Sequence, residues 1–245
     1  MTDRAVQDDV IRYLANAKLR ASAASPISAG ETGRATRFAH FLARRYYRDR
    51  LARSFRYSHR FRAQTGRVAE QVVDRPEFDA FLSSCVLGSL QAAQRVGQFA
   101  AVHLEGTHPA PWWPDLLEYE YVYFLQAATS EPTPPAKYPR KGLSAVCRRF
   151  AWALPQMLPQ LRLGHTLEED LRRPATLLFS RTHTGRIYVV EIEEALEHIF
   201  AATNAQQTPE QIAQSAGVSL AAARQALDQL AQLGAIRTSG PAMAV

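Results

Sequence analysis

The sequence predicts a mainly α-helical protein with an N-terminal helical bundle and a C-terminal winged-helix-like α+β domain that contains a β-hairpin. Apolar residues recur at helical spacing through most of the first half of the chain. Further on, two alternating apolar segments flank Thr184-Gly185 and precede three short helical patterns. We therefore expect a bundle over residues 1–129, a Pro-rich connector with a short helix over 130–173, and the second domain over 174–245.

The N-terminal bundle is expected to contain about five helices. Their predicted ranges are Ala5–Leu19, Arg34–Val73, Pro76–Ala93, Val96–Glu105 and Asp115–Ala128. The buried stripe of the second range is expected to comprise Phe38, Phe41, Leu42, Tyr46 and Leu51. Arginines occupy much of its remaining surface.

The connector begins with a run of prolines from Pro132 to Pro139, which favours a stiff extended chain. We expect a basic and apolar helix over Gly142–Leu158 to follow it.

The C-terminal domain is predicted from its turn and capping residues. The expected strands are Thr176–Arg181 and Arg186–Glu191, and the last two helices are Thr208–Ala216 and Ser219–Leu233. Thr208-Pro-Glu-Gln211 resembles a capping box with proline at the first helical position. Gly217 and Gly234 are expected to end the two helices, with Ser219 capping the second. The inward face of the final helix is predicted to carry Ala222, Ala226, Leu230 and Leu233.

Composition limits the classes of protein to which the chain can belong. It has 245 residues, of which 47% are hydrophobic, so it can form a substantial core. It has no apolar run of about 18 residues, so we expect no membrane partner. The two cysteines, Cys85 and Cys147, are far apart in sequence, and we interpret them as free thiols of a cytoplasmic protein.

Positive charge is concentrated in the N-terminal half. The net charge is +6, and all but three of the 29 basic residues are arginine. Arg34–Arg67 contains many arginines and a single acid, Asp49, whereas basic and acidic residues balance from Leu171 to the end. In the final helix Arg224 is offset by Asp228, so we expect nucleic acid not to be the ligand of this domain.

An extended peptide is the ligand that the second domain is predicted to bind. A peptide can add to an exposed strand edge through main-chain hydrogen bonds, and the neighbouring groove then takes its side chains. The candidate peptide-binding residues are Arg186, Tyr188, Val190, Arg224, Leu227 and Ala231. We expect the N–H of Val190 to lie on the free edge. The alternative is a packing module without a ligand.

Several segments of this domain resemble the precursor-peptide recognition domains of ribosomal peptide maturation pathways. They are Leu177-Leu-Phe179, Gly185-Arg-Ile-Tyr-Val-Val190, Glu210-Gln-Ile-Ala213 and Leu230-Ala-Gln-Leu-Gly-Ala-Ile236. The resemblance covers roughly residues 174–238.

Two further segments are similar to the helical partner proteins of TIM-barrel multinuclear non-haem iron enzymes, in the methanobactin and thiaglutamate pathways. These segments are Arg44-Arg-Tyr-Tyr-Arg-Asp-Arg50 and Trp113-Pro-Asp-Leu-Leu-Glu-Tyr-Glu120. The candidate partner-interface residues are Arg44, Arg45, Arg48, Arg50, Trp112 and Trp113. The alternatives are a solvated arginine face and a helix start packed on the bundle core.

The resemblance implies an accessory subunit that binds a ribosomal precursor peptide and forms a complex with the barrel enzyme. Iron is expected in that partner, and no cofactor or catalytic residue is expected in this chain. The complex would oxidise a peptide cysteine with iron and dioxygen. General similarity favours the thiaglutamate type, in which a carbon is removed from a C-terminal cysteine.

Two other classes of function remain open at the sequence level. One is a winged-helix transcriptional regulator with a helical sensor domain. The other is a stand-alone metal enzyme using His103 and His108, whose spacing differs from the i, i+4 pair of a zinc protease helix.

Overall fold

The computed structural model describes residues 29–82, 84–130, 133, 136–165, 167 and 169–237. The chain divides into two compact units, residues 1–130 and 131–245. It is mainly helical with a small antiparallel sheet in the second unit, so the predicted fold class is confirmed. The expected helix Ala5–Leu19 lies outside the described residues. No helix in the described ranges is long and apolar enough to cross a membrane.

The first unit is built from helices alone over its described residues. They are α1 (Ala29–Ser54), α2 (Arg62–Thr65), α3 (Pro76–Leu82), α4 (Leu90–Leu104) and α5 (Trp113–Ala128), with 3₁₀ helices at Ser58–Phe61 and Ala69–Asp74. Helix α5 packs on both α1 and α4. The close approach of α4 depends on Gly97, because a Cβ there would lie 2.7 Å from the ring of Tyr121.

The helices predicted over Pro76–Ala93 and Val96–Glu105 have different boundaries in the structure. The first ends at Leu82, and a single helix, α4, spans the second region. Gly88 has a φ of +79°, which breaks helical geometry. Ser89 then caps α4, its Oγ accepting a hydrogen bond from the N–H of Ala92 at 3.2 Å.

The buried face of α1 differs from the predicted stripe. Its buried positions are Ala39, Ala43, Tyr47 and Leu51. Phe38 and Phe41 are 54% and 57% exposed, so their predicted burial is wrong. Both stripes have helical spacing, and the small alanines of the observed one let neighbouring helices approach closely.

The second unit combines short strands with four helices over its described residues. Its elements are β1 (Arg140–Lys141), β2 (Val146–Phe150), α6 (Leu154–Leu163), a 3₁₀ helix (Glu169–Leu171), β3 (Ala175–Arg181), β4 (Ile187–Glu191), α7 (Glu194–Ala202), α8 (Pro209–Ala216), α9 (Leu220–Gln232) and β5 (Ile236–Arg237). One antiparallel sheet has the order β2-β3-β4, and β1 pairs with β5.

The helix expected over Gly142–Leu158 is wrong. The segment contains strand β2 followed by the start of α6. Pairing with β3 holds β2 in place, with Phe150 opposite Ala175. Two adjacent exposed arginines, Arg148 and Arg149, hide the alternation that would have indicated a strand.

The predicted caps of the last two helices are confirmed. Thr208 Oγ1 accepts from the N–H of Gln211, whose side chain accepts from the N–H of Thr208 at 2.9 Å. Ser219 caps α9, and Gly217 and Gly234 have φ values of +68° and +73°.

Helices α7, α8 and α9 enclose a hydrophobic core of the second unit together with Leu178 of β3 and Ile236 of β5. This core comprises Leu178, Ile199, Phe200, Ile212, Leu227, Leu230, Ala235 and Ile236. The buried residues of α9 are Ala223, Leu227 and Leu230, so the inward face predicted through Ala222 and Ala226 is displaced by one residue.

Candidate functional site

Strand β4 is an edge strand of the sheet within the described part of the chain. It pairs with β3 on one side, and β3 lies between β2 and β4. The connection before it runs from Thr182 to Arg186, and Gly185 within it has a φ of +89°. A strand at the edge of a sheet has a row of backbone donors and acceptors that a further chain can use.

The hydrogen bonds that flank the hairpin define which backbone groups face outward. Ile192 N donates to Thr176 O, and Thr182 N donates to Arg186 O, both at 2.9 Å. Backbone bonding alternates residue by residue along an antiparallel strand. Even-numbered residues of β4 therefore bond to β3, and Ile187, Val189 and Glu191 direct their N–H and C=O groups to the open edge.

The N–H of Val190 faces β3, whereas that of its neighbour Val189 faces outward, so the expectation that Val190 has the free N–H is wrong. Val190 lies opposite Leu178 in a bonded pair. Counting from the turn would have given this result, because the residue that closes the hairpin, Arg186, must bond inward. The sequence therefore contained the signal.

Tyr188 and Val190 are half-buried and lie on the face of the sheet that carries α7, α8 and α9. Val190 pairs with Leu178, which belongs to the core formed with the last three helices. Tyr188 pairs with Ser180, whose Oγ donates to Leu233 O at 2.7 Å beside the end of α9. The two predicted side chains therefore share the face that carries α9.

The three predicted residues of α9 have different environments. Leu227 is 4% exposed and belongs to the core, so it offers little surface to a peptide. Ala231 is half-buried at the edge of that core. Arg224 is exposed and forms an ion pair with Glu210 at 2.9 Å, which offsets its charge.

Charged side chains mark both ends of β4. At its start the guanidinium of Arg186 lies 4.9 Å from the ring centre of Tyr188. At its end Glu191 pairs with Arg173 at 3.0 Å. The edge is therefore basic at one end and carries a paired acid at the other.

Three of the four predicted interface arginines hold the first unit together. Arg44 pairs with Asp79, and Arg48 pairs with Asp74. Arg50 donates through Nε to Ala127 O at 3.2 Å, near the C-terminus of α5. Such contacts satisfy terminal helix carbonyls and neutralise charge.

The two tryptophans differ in burial. Trp113 is 1% exposed, and its Nε1–H donates to Leu104 O at 3.1 Å, so it offers little surface to a partner. Trp112 is half-buried, and its ring centre lies 5.3 Å from that of His108. The start of α5 is therefore packed into the bundle.

His103 and His108 have their ring nitrogens engaged by protein groups. His103 accepts from Arg75 at Nδ1 and contacts Gln71 at Nε2. Burial, with Arg75 and Arg67 nearby, lowers the pKa of His103 to about 4. His108 contacts Gln64 and accepts from the N–H of Ala110. The described residues contain no cluster of three or more metal-ligating side chains, and the two imidazoles fit structural roles.

Glu120 is a buried residue that sequence reasoning assigned to no site. Its carboxyl accepts from the N–H groups of Tyr57 and Ser58, at 2.6 and 3.2 Å. Burial raises its pKa to about 8, against the opposing effect of these hydrogen bonds. It joins α5 to the turn that follows α1. Its place among apolar positions of the helix was the feature of the sequence that could have indicated its burial.

The first unit also has a cleft of about 1220 Å³ between α3, α4 and the middle of α5. Aromatic rings of Phe81, Phe99 and Tyr121 line it. Two acids, Glu77 and Glu118, and one base, Arg95, contribute charges to its wall.

No protein-family model matches this chain, and no curated protein sequence matches it.

Proposed function

We propose that this chain is the accessory subunit of a two-protein enzyme that modifies a ribosomally made peptide. The second unit binds the precursor peptide. The first unit docks on a TIM-barrel multinuclear non-haem iron enzyme, which carries the iron.

The observation that supports peptide binding most directly is the open edge of β4. Val189 directs an N–H and a C=O outward, and Ile187 and Glu191 do the same on either side of it. A peptide strand can pair with these groups whatever its sequence, and side-chain contacts then supply selectivity.

Side-chain selectivity would come from the helical side of the hairpin. Tyr188 and Val190 offer apolar surface there, and Ala231 has a side chain small enough for a peptide to approach the helix. Arg186 adds a cation at the start of the strand. An added strand places alternate side chains against this face.

The chemistry of the proposed complex lies in the partner, which would use iron and dioxygen to oxidise a peptide cysteine. This chain would hold the peptide and leave its cysteine free to reach the iron. Excision of a carbon from a C-terminal cysteine is the variant that the sequence resemblance favours.

A Val189→Pro substitution tests the peptide site. Proline removes the outward N–H, and edge positions of this kind tolerate it because the lost donor has no partner in the sheet. We expect affinity for the precursor peptide to fall at least about tenfold. Titration of a labelled synthetic peptide measures the change.

A Val189→Thr variant is the matched control, because it keeps the N–H and the β-branched shape. We expect its peptide affinity to stay near that of the wild type. Circular dichroism of both variants checks that the fold is retained. Unchanged affinity in a folded Val189→Pro protein would exclude strand addition at this edge.

Co-expression with a neighbouring barrel-enzyme gene tests the partner. We expect the two proteins to co-purify and to elute together in size-exclusion chromatography. Recovery of this chain as a free monomer, with no affinity for the barrel enzyme, contradicts the proposed assembly.

A further inference from the structure

The outward face of α1 carries two phenylalanines that are more than half exposed. Phe38 and Phe41 are 54% and 57% exposed and lie one helical turn apart on the same side. The opposite side of the helix is the buried one. Exposed aromatic pairs of this kind are typical of interaction surfaces.

Two cations flank these rings. Arg37 and Arg45 are exposed, and no hydrogen bond or ion pair joins either of them to the rest of the described chain. By contrast, the neighbouring Arg44 and Arg48 are each paired with an aspartate. The surface formed by Arg37, Phe38, Phe41 and Arg45, here called the α1 patch, therefore has an excess of positive charge.

The composition of the α1 patch favours a protein partner over a lipid surface. Aromatic residues and arginine are enriched in protein interfaces. An amphipathic helix that lies in a membrane needs a broad apolar face. The broad apolar face of α1 is already buried in the bundle, which leaves two rings for the outside.

We propose that the α1 patch is a docking site for an acidic surface of a partner protein. Phe38 and Phe41 enter an apolar pocket of that partner, and Arg37 and Arg45 pair with carboxylates at its rim. A guanidinium fork matches a carboxylate in two places, which fixes the orientation of the docked chains.

This inference rests on the proposed function only for the identity of the partner, the iron barrel enzyme. It moves the interface away from Arg44, Arg48 and Arg50, which hold the bundle together. Arg45 is the one residue common to both interface predictions.

The test is the affinity of the purified barrel enzyme for variants of the full-length chain. The double variant Phe38→Ser/Phe41→Ser should weaken binding roughly thirtyfold or more. Val102→Ser is the matched control, because Val102 is 61% exposed on α4 of the same unit. Both should melt at the wild-type temperature, since each loses only exposed side chains.

Charge reversal tests the electrostatic part. Arg37→Glu/Arg45→Glu should slow association and reduce the dependence of affinity on salt concentration. Arg162 is exposed in the second unit, and Arg162→Glu should leave the association rate and the salt dependence of affinity unchanged.

Each other outcome overturns the inference. If the double serine variant binds the barrel enzyme with wild-type affinity, the inference is wrong but the proposed function stands. The same conclusion holds if this variant loses only binding to phosphatidylserine vesicles, or only self-association measured by sedimentation. Failure of the wild-type chain to bind the barrel enzyme would reject the inference and the proposed assembly together. Titration of the double serine variant with peptide separates docking on the barrel enzyme from peptide binding, because the variant should keep its affinity for the peptide.

Discussion

At the scale of single residues, Glu120 links the stability of the fold to pH. Its carboxyl is fully buried and accepts hydrogen bonds from Tyr57 and Ser58. A pKa of about 8 means that the folded chain keeps this proton at neutral pH, whereas the unfolded chain releases it near the ordinary value of 4.5. The stabilisation from this carboxyl is therefore fully present below pH 4.5 and is lost as the pH rises towards 8.

We predict that the free energy of unfolding falls by about 2 kcal/mol between pH 6.5 and 8, at 1.4 kcal/mol per unit. Urea denaturation at a series of pH values measures the fall. Glu120→Gln keeps an acceptor for both N–H groups but cannot ionise, so its profile should be flatter. Parallel profiles for the two proteins would contradict the assignment of the proton to Glu120.

His103 acts in the opposite direction on the acid side. Its folded pKa of about 4 lies below the ordinary 6.5, so its stabilising effect is present above pH 6.5 and declines as pH falls. We predict that the stability difference between wild type and His103→Gln shrinks by about 2 kcal/mol from pH 6.5 to 5. His183→Gln, which makes the same substitution at an exposed loop position, is the control.

At the scale of elements, features set by local geometry could be predicted from the sequence. The capping box at Thr208, the cap at Ser219 and the glycine ends of α8 and α9 depend on a few adjacent residues. Strand β2 could not be predicted in this way, because β3 is 25 or more residues away and supplies its hydrogen bonds.

The buried face of α1 was mispredicted for a different reason. Large aromatic residues suggested one stripe, but alanines at Ala39 and Ala43 allow closer packing on another. For the candidate site, the sequence is enough to predict strand β4 and which of its residues direct their backbone groups outward. The burial of Leu227 and Trp113 depends on the angle at which each helix packs, which no local pattern specifies.

The contact between α4 and α5 predicts the effect of a Gly97→Ala substitution. Alanine favours helix by about 1 kcal/mol, but its Cβ would lie 2.7 Å from the Tyr121 ring and 3.1 Å from Phe124. Overpacking costs about 1–3 kcal/mol, so we expect net destabilisation, measured as a lower urea midpoint.

A double-mutant cycle with Tyr121→Ala is the control for this contact. Removing the ring should make Gly97→Ala neutral or stabilising, because helix propensity then decides the sign. Equal effects in both backgrounds would show that the ring does not limit the approach of the helices.

At the scale of the whole molecule, charge distinguishes the proposed subunit from a DNA-binding regulator. The net charge of +6 predicts weak retention of any duplex at low salt. In the last two helices, α8 and α9, Arg224 is paired with Glu210 and is followed by Asp228. The positive charge therefore lies mainly in the first unit.

We predict that duplex binding in mobility-shift experiments is independent of sequence and disappears by about 0.2 M salt. Arg37→Glu/Arg45→Glu should weaken it, whereas Arg224→Ala should not. A salt-resistant complex with one duplex that Arg224→Ala abolishes would favour the regulator.

The open edge of β4 also limits how selective the proposed peptide site can be. Backbone groups that accept a peptide strand can equally accept the same strand of a second molecule, which is a route to aggregation. Strand β4 has only five residues and a charged side chain at or beside each end, and both properties oppose such self-pairing. Discrimination between a correct strand and a wrong one must therefore come from the side chains of the incoming segment.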